Sequence, residues 1–398
     1  MRIQLRRRDV LKGAFAAGIG TLATPWGYGA GSVPESQWAS FRNGLTNRGV
    51  ANSTFPEAPE LLWELTSPDG ITSTPVIGDG KAYVGTLSGD VLCLDLQSGK
   101  EIWKYTTSEG VPANQLPPGF NSPLTLGTEL VFAGDDTGTM HALDRATGKL
   151  KWKFDAKAEI VGGGLLFERQ AGKGPEFVFG SHAEKLFAVD IQNGEEIWSF
   201  ETHGPVNGTP TVSGNVTFVT GCNEPLMYVA DLNSGTQSDQ VPLNARLIAS
   251  AADVEGVLYF GTDEGAVYAL NWKEKKVIWE YSVPDRDYQI NSSPAVNDEF
   301  VLIGSQDKHL HCINRQTGQQ VWEFRTRGKI DSSPVIVGDR VVFGSADKNL
   351  YMLRIADGKE VWRYNAGQGV TGSPAIAEGK MVIGTDSSNG RILCFGKR

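Results

Sequence analysis

The chain has 398 residues, of which 48 are Gly and 19 are Pro, so a backbone breaker falls about once in every six positions and an architecture of long helices is excluded. With 40% apolar residues and ten Trp, the chain is neither disordered nor of low complexity, and it can bury a large core. A formal charge of -9, with no Lys or Arg cluster beyond the first dozen positions, argues against a nucleic-acid partner, because phosphate backbones are repelled by such a surface. The four cysteines, Cys93, Cys222, Cys312 and Cys394, form no adjacent pair and no CxxC, which speaks against a disulfide framework or a zinc site.

In chain order, the first feature is Arg6-Arg7-Arg8-Asp9-Val10-Leu11-Lys12, followed by a mildly apolar stretch from Gly13 to Ala23 that is too short to span a bilayer. This resembles a twin-arginine export signal, read over residues 1–30, and implies a protein folded before export to the periplasm or the outer side of the cytoplasmic membrane. Small residues leave the cleavage position open between Ala23 and Gly29, with an uncleaved anchor as the alternative. Removing residues 1–30 brings the charge to -13. No lipoprotein anchor is expected, since the first Cys is Cys93, and no other segment is long enough to be transmembrane.

After an extension over residues 31–60, Leu61-Leu62-Trp63-Glu64-Leu65 reads as a strand with no partner before it. A repeat then begins. Residues 71–105 (ITSTPVIGDGKAYVGTLSGDVLCLDLQSGKEIWKY), 290–324 (INSSPAVNDEFVLIGSQDKHLHCINRQTGQQVWEF) and 330–364 (IDSSPVIVGDRVVFGSADKNLYMLRIADGKEVWRY) each hold four short apolar runs separated by turn residues, the pattern of four antiparallel strands. Trp63, Trp103, Trp152, Trp198, Trp279, Trp322 and Trp362 are spaced by 40, 49, 46, 81, 43 and 40 residues, and the 81 is two periods with Asp239 in the missing slot. That counts eight fourth strands. The last unit, around Ser373-Pro374, Val382-Ile383-Gly384 and Ile392-Leu393-Cys394, lacks its own fourth strand, so the strand at Trp63 should complete it. An open stack would expose apolar faces at both ends, so the reading is an all-β, eight-bladed β-propeller over residues 61–398, with Thr74, Ser122, Thr209, Ser293, Ser333 and Ser373 as small residues at the crowded axis.

The turn Ala142-Leu143-Asp144-Arg145-Ala146-Thr147-Gly148-Lys149-Leu150-Lys151-Trp152, with variants in most blades, resembles the tryptophan-docking repeat of pyrroloquinoline-quinone (PQQ) propellers. The resemblance implies that each Trp packs between a small residue ten positions earlier (Cys93, Ala188, Cys312) and a turn Gly (Gly99, Gly194, Gly318, Gly358), welding blades together. Met352, Lys275 and Asp239 depart from that pattern, and blades four and five are expected to be the loosest. Trp38-Ala39-Ser40-Phe41-Arg42 is similar to a segment that precedes blade closure in many members. The family includes BamB-like assembly scaffolds, eight-bladed and cofactor-free, and quinoprotein dehydrogenases, which hold PQQ and calcium and have longer chains with an adjacent Cys-Cys bridge. The regular blades and separated cysteines here favour the scaffold, with no cofactor expected and PQQ with calcium as the alternative.

Residues three before the strand-opening Pro, namely Thr72, Asn207, Asn291, Asp331 and Thr371, should line one end of the channel, with Arg286, Asp287, Tyr288, Arg327 and Lys329 on the loops feeding it. A Tyr plane beside two Arg can hold carboxylate or aromatic groups, so this mouth is the candidate site for an envelope or extracellular protein partner, or for a small ligand. The plainer reading is a set of solvated loops with Asp331 and the Asn residues capping strand starts. His309 and His311 share a strand face, but His311 fills a slot held elsewhere by Phe187, Tyr268 and Tyr351, so packing is expected rather than metal binding. Asp95, Asp144, Asp190 and Asp231 end third strands, where a carboxylate accepts backbone N–H bonds. No GxSxG, Walker loop, HExxH or EF-hand pattern is present.

Overall fold

A computed structural model describes residues 37–112, 114–170 and 174–398; the export signal read over residues 1–30 lies outside the described residues. The described residues form eight sheets, each with four antiparallel strands that are consecutive in the chain in all but the last, and two sheets carry an extra short strand from the N-terminal extension. The first strand of each blade lies innermost and the fourth outermost. Blades 1 to 8 begin at Val76, Thr125, Gly164, Thr211, Ala252, Ala295, Val335 and Ala375. Blade 8 takes its fourth strand from Glu60–Thr66, and Trp63 stands opposite Cys394, so the ring closes between the two ends of the propeller sequence. This is an eight-bladed β-propeller, and no helix among the described residues is long and apolar enough to cross a membrane.

The inner strands read as continuous apolar runs, as in Val341-Val342-Phe343, because both faces of a blade are covered by neighbouring blades. The core is accordingly divided into clusters that sit between blades. One example joins Phe132 of blade 2 to Phe177 of blade 3, whose rings stack with centroids 4.2 Å apart. A bulge interrupts the ladder between third and fourth strands in every blade, as at Cys93/Leu94 and Ala142/Leu143, and it sharpens the twist where the Trp stands.

Trp63 faces Cys394, while the other docking Trp are paired in register with the residue ten positions earlier, as Trp103 is with Cys93; in each Trp-on-Gly contact the glycine belongs to the following blade. A Cβ on Gly148 would lie 2.5 Å from the Trp103 ring, and the turn holds that residue at φ 72, so both space and backbone demand glycine. The indole N–H donates across the same interface, from Trp63 to the Leu96 carbonyl at 3.0 Å and from Trp152 to that of Ile191 at 2.8 Å. Between blades 4 and 5 the two departures from the pattern meet: Lys275 Nζ donates to Asp239 Oδ1 at 2.5 Å, an ion pair in place of the Trp on Gly contact. Lys275 takes the positive φ of the turn, 53°, against its intrinsic preference. Trp272 packs edge-on against Phe218 of blade 4, with centroids 5.2 Å apart, and a cavity of about 20 Å³ remains in this interface beside Thr209, Leu247 and Ser250.

Around the axis the small residues form a hydrogen-bonded belt. The amides of Gly163, Thr209, Ser250, Ser293 and Ser333 donate to the hydroxyls of Thr209, Ser250, Ser293, Ser333 and Ser373 respectively, at 2.8 to 3.1 Å, linking blades 3 to 8 in sequence. Ser122 differs from the expected placement. Its hydroxyl bonds the Gly134 carbonyl of its own blade, as Ser73 does that of Gly85, so it occupies the position one residue before the belt. Ser250 joins the belt although no Pro follows it.

Candidate functional site

Every first strand starts at one end of the channel and finishes at the other, and the two ends differ. At the finishing end the extension runs round the inner strands as a strap. Gln37–Trp38 pairs with Val76–Gly78 of blade 1, and the amides of Leu126, Val212, Asp253, Val296 and Ile336 donate to the carbonyls of Ala39, Leu45, Thr46, Arg48 and Gly49 at 2.7 to 2.9 Å. Val50–Ala51 then pairs in parallel with Val335–Val337 of blade 7, and the Gly379 amide of blade 8 donates to Ser53 Oγ at 2.8 Å. The strap thereby satisfies inner-edge amides that would otherwise face the channel unpaired. Trp38 and Arg42 are both completely buried by it.

The starting end carries the mouth residues, half-buried and tied to one another. Thr72 Oγ1 donates to Asn121 Oδ1 at 2.7 Å, Asn207 meets His182 Nε2 at 2.7 Å, and Thr371 Oγ1 donates to Asp386 Oδ2 at 2.9 Å. Asp331 is the most connected: Asn291 Nδ2 and Gln306 Nε2 donate to its Oδ1 at 3.2 and 3.1 Å, and Lys329 Nζ lies 2.8 Å from its Oδ2. The outer part of the mouth is formed by Asp287, Tyr288, Arg327 and Lys329, all exposed, and Tyr288 keeps 54% of its surface free. Gly265 permits the close approach of the Tyr288 loop, since a Cβ there would fall 2.9 Å from the Tyr288 carbonyl oxygen.

Arg286 is arranged differently from the free mouth cation expected of it. Its guanidinium makes a bidentate pair with Glu323, at 2.9 and 3.2 Å, and reaches Asp307 at 3.5 Å. Behind it, Tyr281 OH contacts His311 Nδ1 at 3.0 Å and His311 Nε2 contacts Asp307 Oδ2 at 3.1 Å. Burial would raise the Asp307 pKa, but the bonds and charges of His311 and His309 outweigh it and hold the group at about 2. For Glu323 burial is likewise outweighed by Arg286, and the pKa is lowered. The same Tyr, His and Asp chain recurs in blade 2 as Tyr105, His141 and Asp135, at 3.0 and 2.8 Å. Both chains lie at blade interfaces, with the Tyr on the preceding blade's outer strand, so they weld blades.

Sequence reasoning missed Asn121, His182, Gln306 and Glu323. Their partners lie 25 to 49 residues away, and only register brings them together. Asp95, Asp144 and Asp231 accept amide bonds from Ser98, Thr147 and Ser234 at 2.7 to 2.9 Å, and Asp190 from Gln192 at 2.8 Å. Among the described residues no set of three or more His, Cys, Asp or Glu side chains is arranged to hold a metal ion.

Eight wedge-shaped sheets, Trp-on-Gly docking between blades, a strapped end and a polar mouth define a tryptophan-docking β-propeller. The chain belongs to the family described as outer membrane protein assembly factor BamB, whose model matches residues 54–236, 136–297 and 285–395. BamB of Burkholderia pseudomallei (strain K96243) is 24% identical over 279 residues, covering 67% of this chain and 59% of the relative. BamB of Nitrosomonas eutropha is 22% identical over 277 residues, covering 66% and 54%, so the chain spans less than two thirds of the length of these curated relatives. A shorter match, 29% identical over 116 residues, covers 26% of this chain and 16% of the quinohemoprotein alcohol dehydrogenase ADH-IIG of Pseudomonas putida. Among solved structures, BamB from Moraxella catarrhalis superposes with a TM-score of 0.67 at 17% identity, covering 85% of this chain and 98% of that one. Quinohemoprotein alcohol dehydrogenase from Comamonas testosteroni reaches 0.74 at 15% identity, covering 91% and 81%. At such identity these likenesses define the fold alone.

Proposed function

We propose that the protein is a non-enzymatic, BamB-like scaffold that binds a protein of the cell envelope through the mouth formed by Tyr288, Arg327, Lys329 and Asp331, with Asp287 and Asn291 beside them. The observation that carries this reading is the asymmetry of the channel: the strap covers one end with hydrogen bonds to seven of the eight blades, so the polar end is the one offered to a partner. Its chemistry suits a peptide segment. Arg327 and Lys329 can take carboxylates, Asp331 and Asn291 can take backbone amides, and the exposed Tyr288 ring offers an apolar face. Export by the twin-arginine route, to the periplasm or the outer side of the cytoplasmic membrane, is part of the proposal and rests on Arg7, Arg8, Leu11 and Lys12. Arg7→Lys together with Arg8→Lys should leave the protein in the cytoplasm.

The test is a pull-down from native envelope extract with the wild-type protein and with Arg327→Ala/Tyr288→Ala. The reading expects an envelope protein that is retained by the wild type and lost, at least about tenfold, by the double variant. Equal retention by both would overturn the mouth. The competing reading, a PQQ- and calcium-dependent dehydrogenase, rests on the shared propeller and on the short ADH-IIG match. Stoichiometric PQQ binding with calcium, followed by dye reduction with an alcohol or sugar, would replace the scaffold by the enzyme.

A further inference from the structure

Arg42 is the most unusual charge in the molecule. Its backbone lies on the strap between Ala39, which is bonded to blade 2, and Leu45, which is bonded to blade 4, yet its Nη2 donates to the Pro294 carbonyl of blade 6 at 2.8 Å. The side chain therefore crosses the channel floor. It is 0% exposed, and its Nε and Nη1 have no hydrogen-bond partner among the described residues. The guanidinium lies directly over Gly49, where a Cβ would fall within 1.8 Å of Nη2, so the strap is shaped around this side chain. Arg42 and its neighbour Asn43 both sit at φ 59, a conformation that costs a non-glycine residue about 1 kcal/mol, more for Arg than for Asn.

We propose that Arg42 holds a small inorganic anion of chloride size, enclosed in the channel floor between the strap and blade 6. A buried cation with one neutral hydrogen-bond partner and an aromatic face, the Phe41 ring at 6.0 Å, is still disfavoured, and the strong remedies open to a protein are a paired carboxylate or a bound anion. No carboxylate among the described residues provides the first. Burial is the sole influence on this group's pKa, which it lowers to about 9, so the guanidinium keeps its charge at neutral pH. The nearby strap cation Arg48 has its own acid, Asp298 at 3.3 Å. The unmatched groups on Arg42 are all donors, the chemistry that recognises an anion. Full burial limits the occupant to a few atoms. Trp38 on the same strap also has a buried indole N–H without a partner, a further donor on the floor.

The full chain is unfolded and refolded in chloride-free gluconate buffer, and thermal midpoints are then measured against chloride at constant ionic strength for the wild type and Arg42→Met. The wild-type midpoint should rise by about 2 °C per tenfold increase in chloride beyond the dissociation constant, and the variant should lose this dependence. Crystals of the wild type grown in bromide should show an anomalous peak within hydrogen-bond distance of the Arg42 guanidinium. Equal slopes in the two proteins, a wild type indifferent to chloride, or bromide bound only elsewhere would overturn the proposal. Should Arg42→Met fail to fold, the wild-type titration and the bromide peak still decide.

Discussion

The contact between blades 4 and 5 gives the sharpest stability prediction, because it replaces the Trp on Gly contact by Asp239 and Lys275. At six other interfaces a Cβ on the turn glycine would lie only 2.5 to 2.7 Å from the docked indole, so an indole at position 239 cannot dock while Lys275 occupies the turn. Asp239→Trp alone should cost about 1–3 kcal/mol through that clash and the lost ion pair. Lys275→Gly alone should change stability by no more than about 0.5 kcal/mol, since loss of a half-exposed ion pair is offset by relief at φ 53. Together they should stabilise the protein by about 2–4 kcal/mol, because docked Trp103, Trp152 and Trp198 retain only 7 to 8% exposure and each removes most of an indole from water. Val229, opposite Asp239, is larger than the Ala or Cys found in most blades, but Met352 opposite Trp362 shows that a longer residue is compatible with the indole. A double-mutant cycle by urea unfolding reads the coupling, expected at about 3 kcal/mol or more. Additivity within about 0.5 kcal/mol would refute the docking account.

Gly148→Ala, placing a methyl 2.5 Å from the Trp103 ring at φ 72, should destabilise by about 2–3 kcal/mol, measured by the same unfolding assay. Glu176 is fully buried, and burial raises its pKa to about 7 against the opposing pull of Arg169 and the Trp198 N–H. Its protonated form thus contributes stability that is complete below about pH 4.5 and lost as pH rises through about 7, by at most roughly 3 kcal/mol. Glu176→Gln should flatten this part of the stability profile between pH 5 and 8, and an unchanged profile would refute the assignment. Arg286→Ala should cost about 2–3 kcal/mol by stranding Asp307 and Glu323 while leaving partner binding intact, whereas Arg327→Ala/Tyr288→Ala should do the reverse. Unfolding and pull-down on both variants separate the two roles.

The ring was legible because its signals are local. A Trp every 40 to 49 residues and an unpartnered strand at Leu61 counted the blades and predicted the closure now seen between Trp63 and Cys394. The strap was not legible, since it binds through backbone carbonyls that leave no mark on residue type, although Trp38 and Arg42 stood out in sequence. Asp239 and Lys275 were each visible as departures, but their meeting depends on docking against the following blade rather than within one repeat. The ion pairs of Arg286 were hidden for a similar reason: Glu323 and Asp307, which hold it, lie 37 and 21 residues further along the chain and face it only once blades 5 and 6 pack.

The central claim is that the molecule meets its partner at the polar end of the channel and not at the strapped end. Photo-crosslinking residues placed at Tyr288 or Lys329, and at Asp298 and Asp339 beside the strap, test it directly in envelope extract. Crosslinks to one envelope protein from positions 288 and 329 alone are predicted; crosslinks confined to positions 298 and 339 would contradict the account.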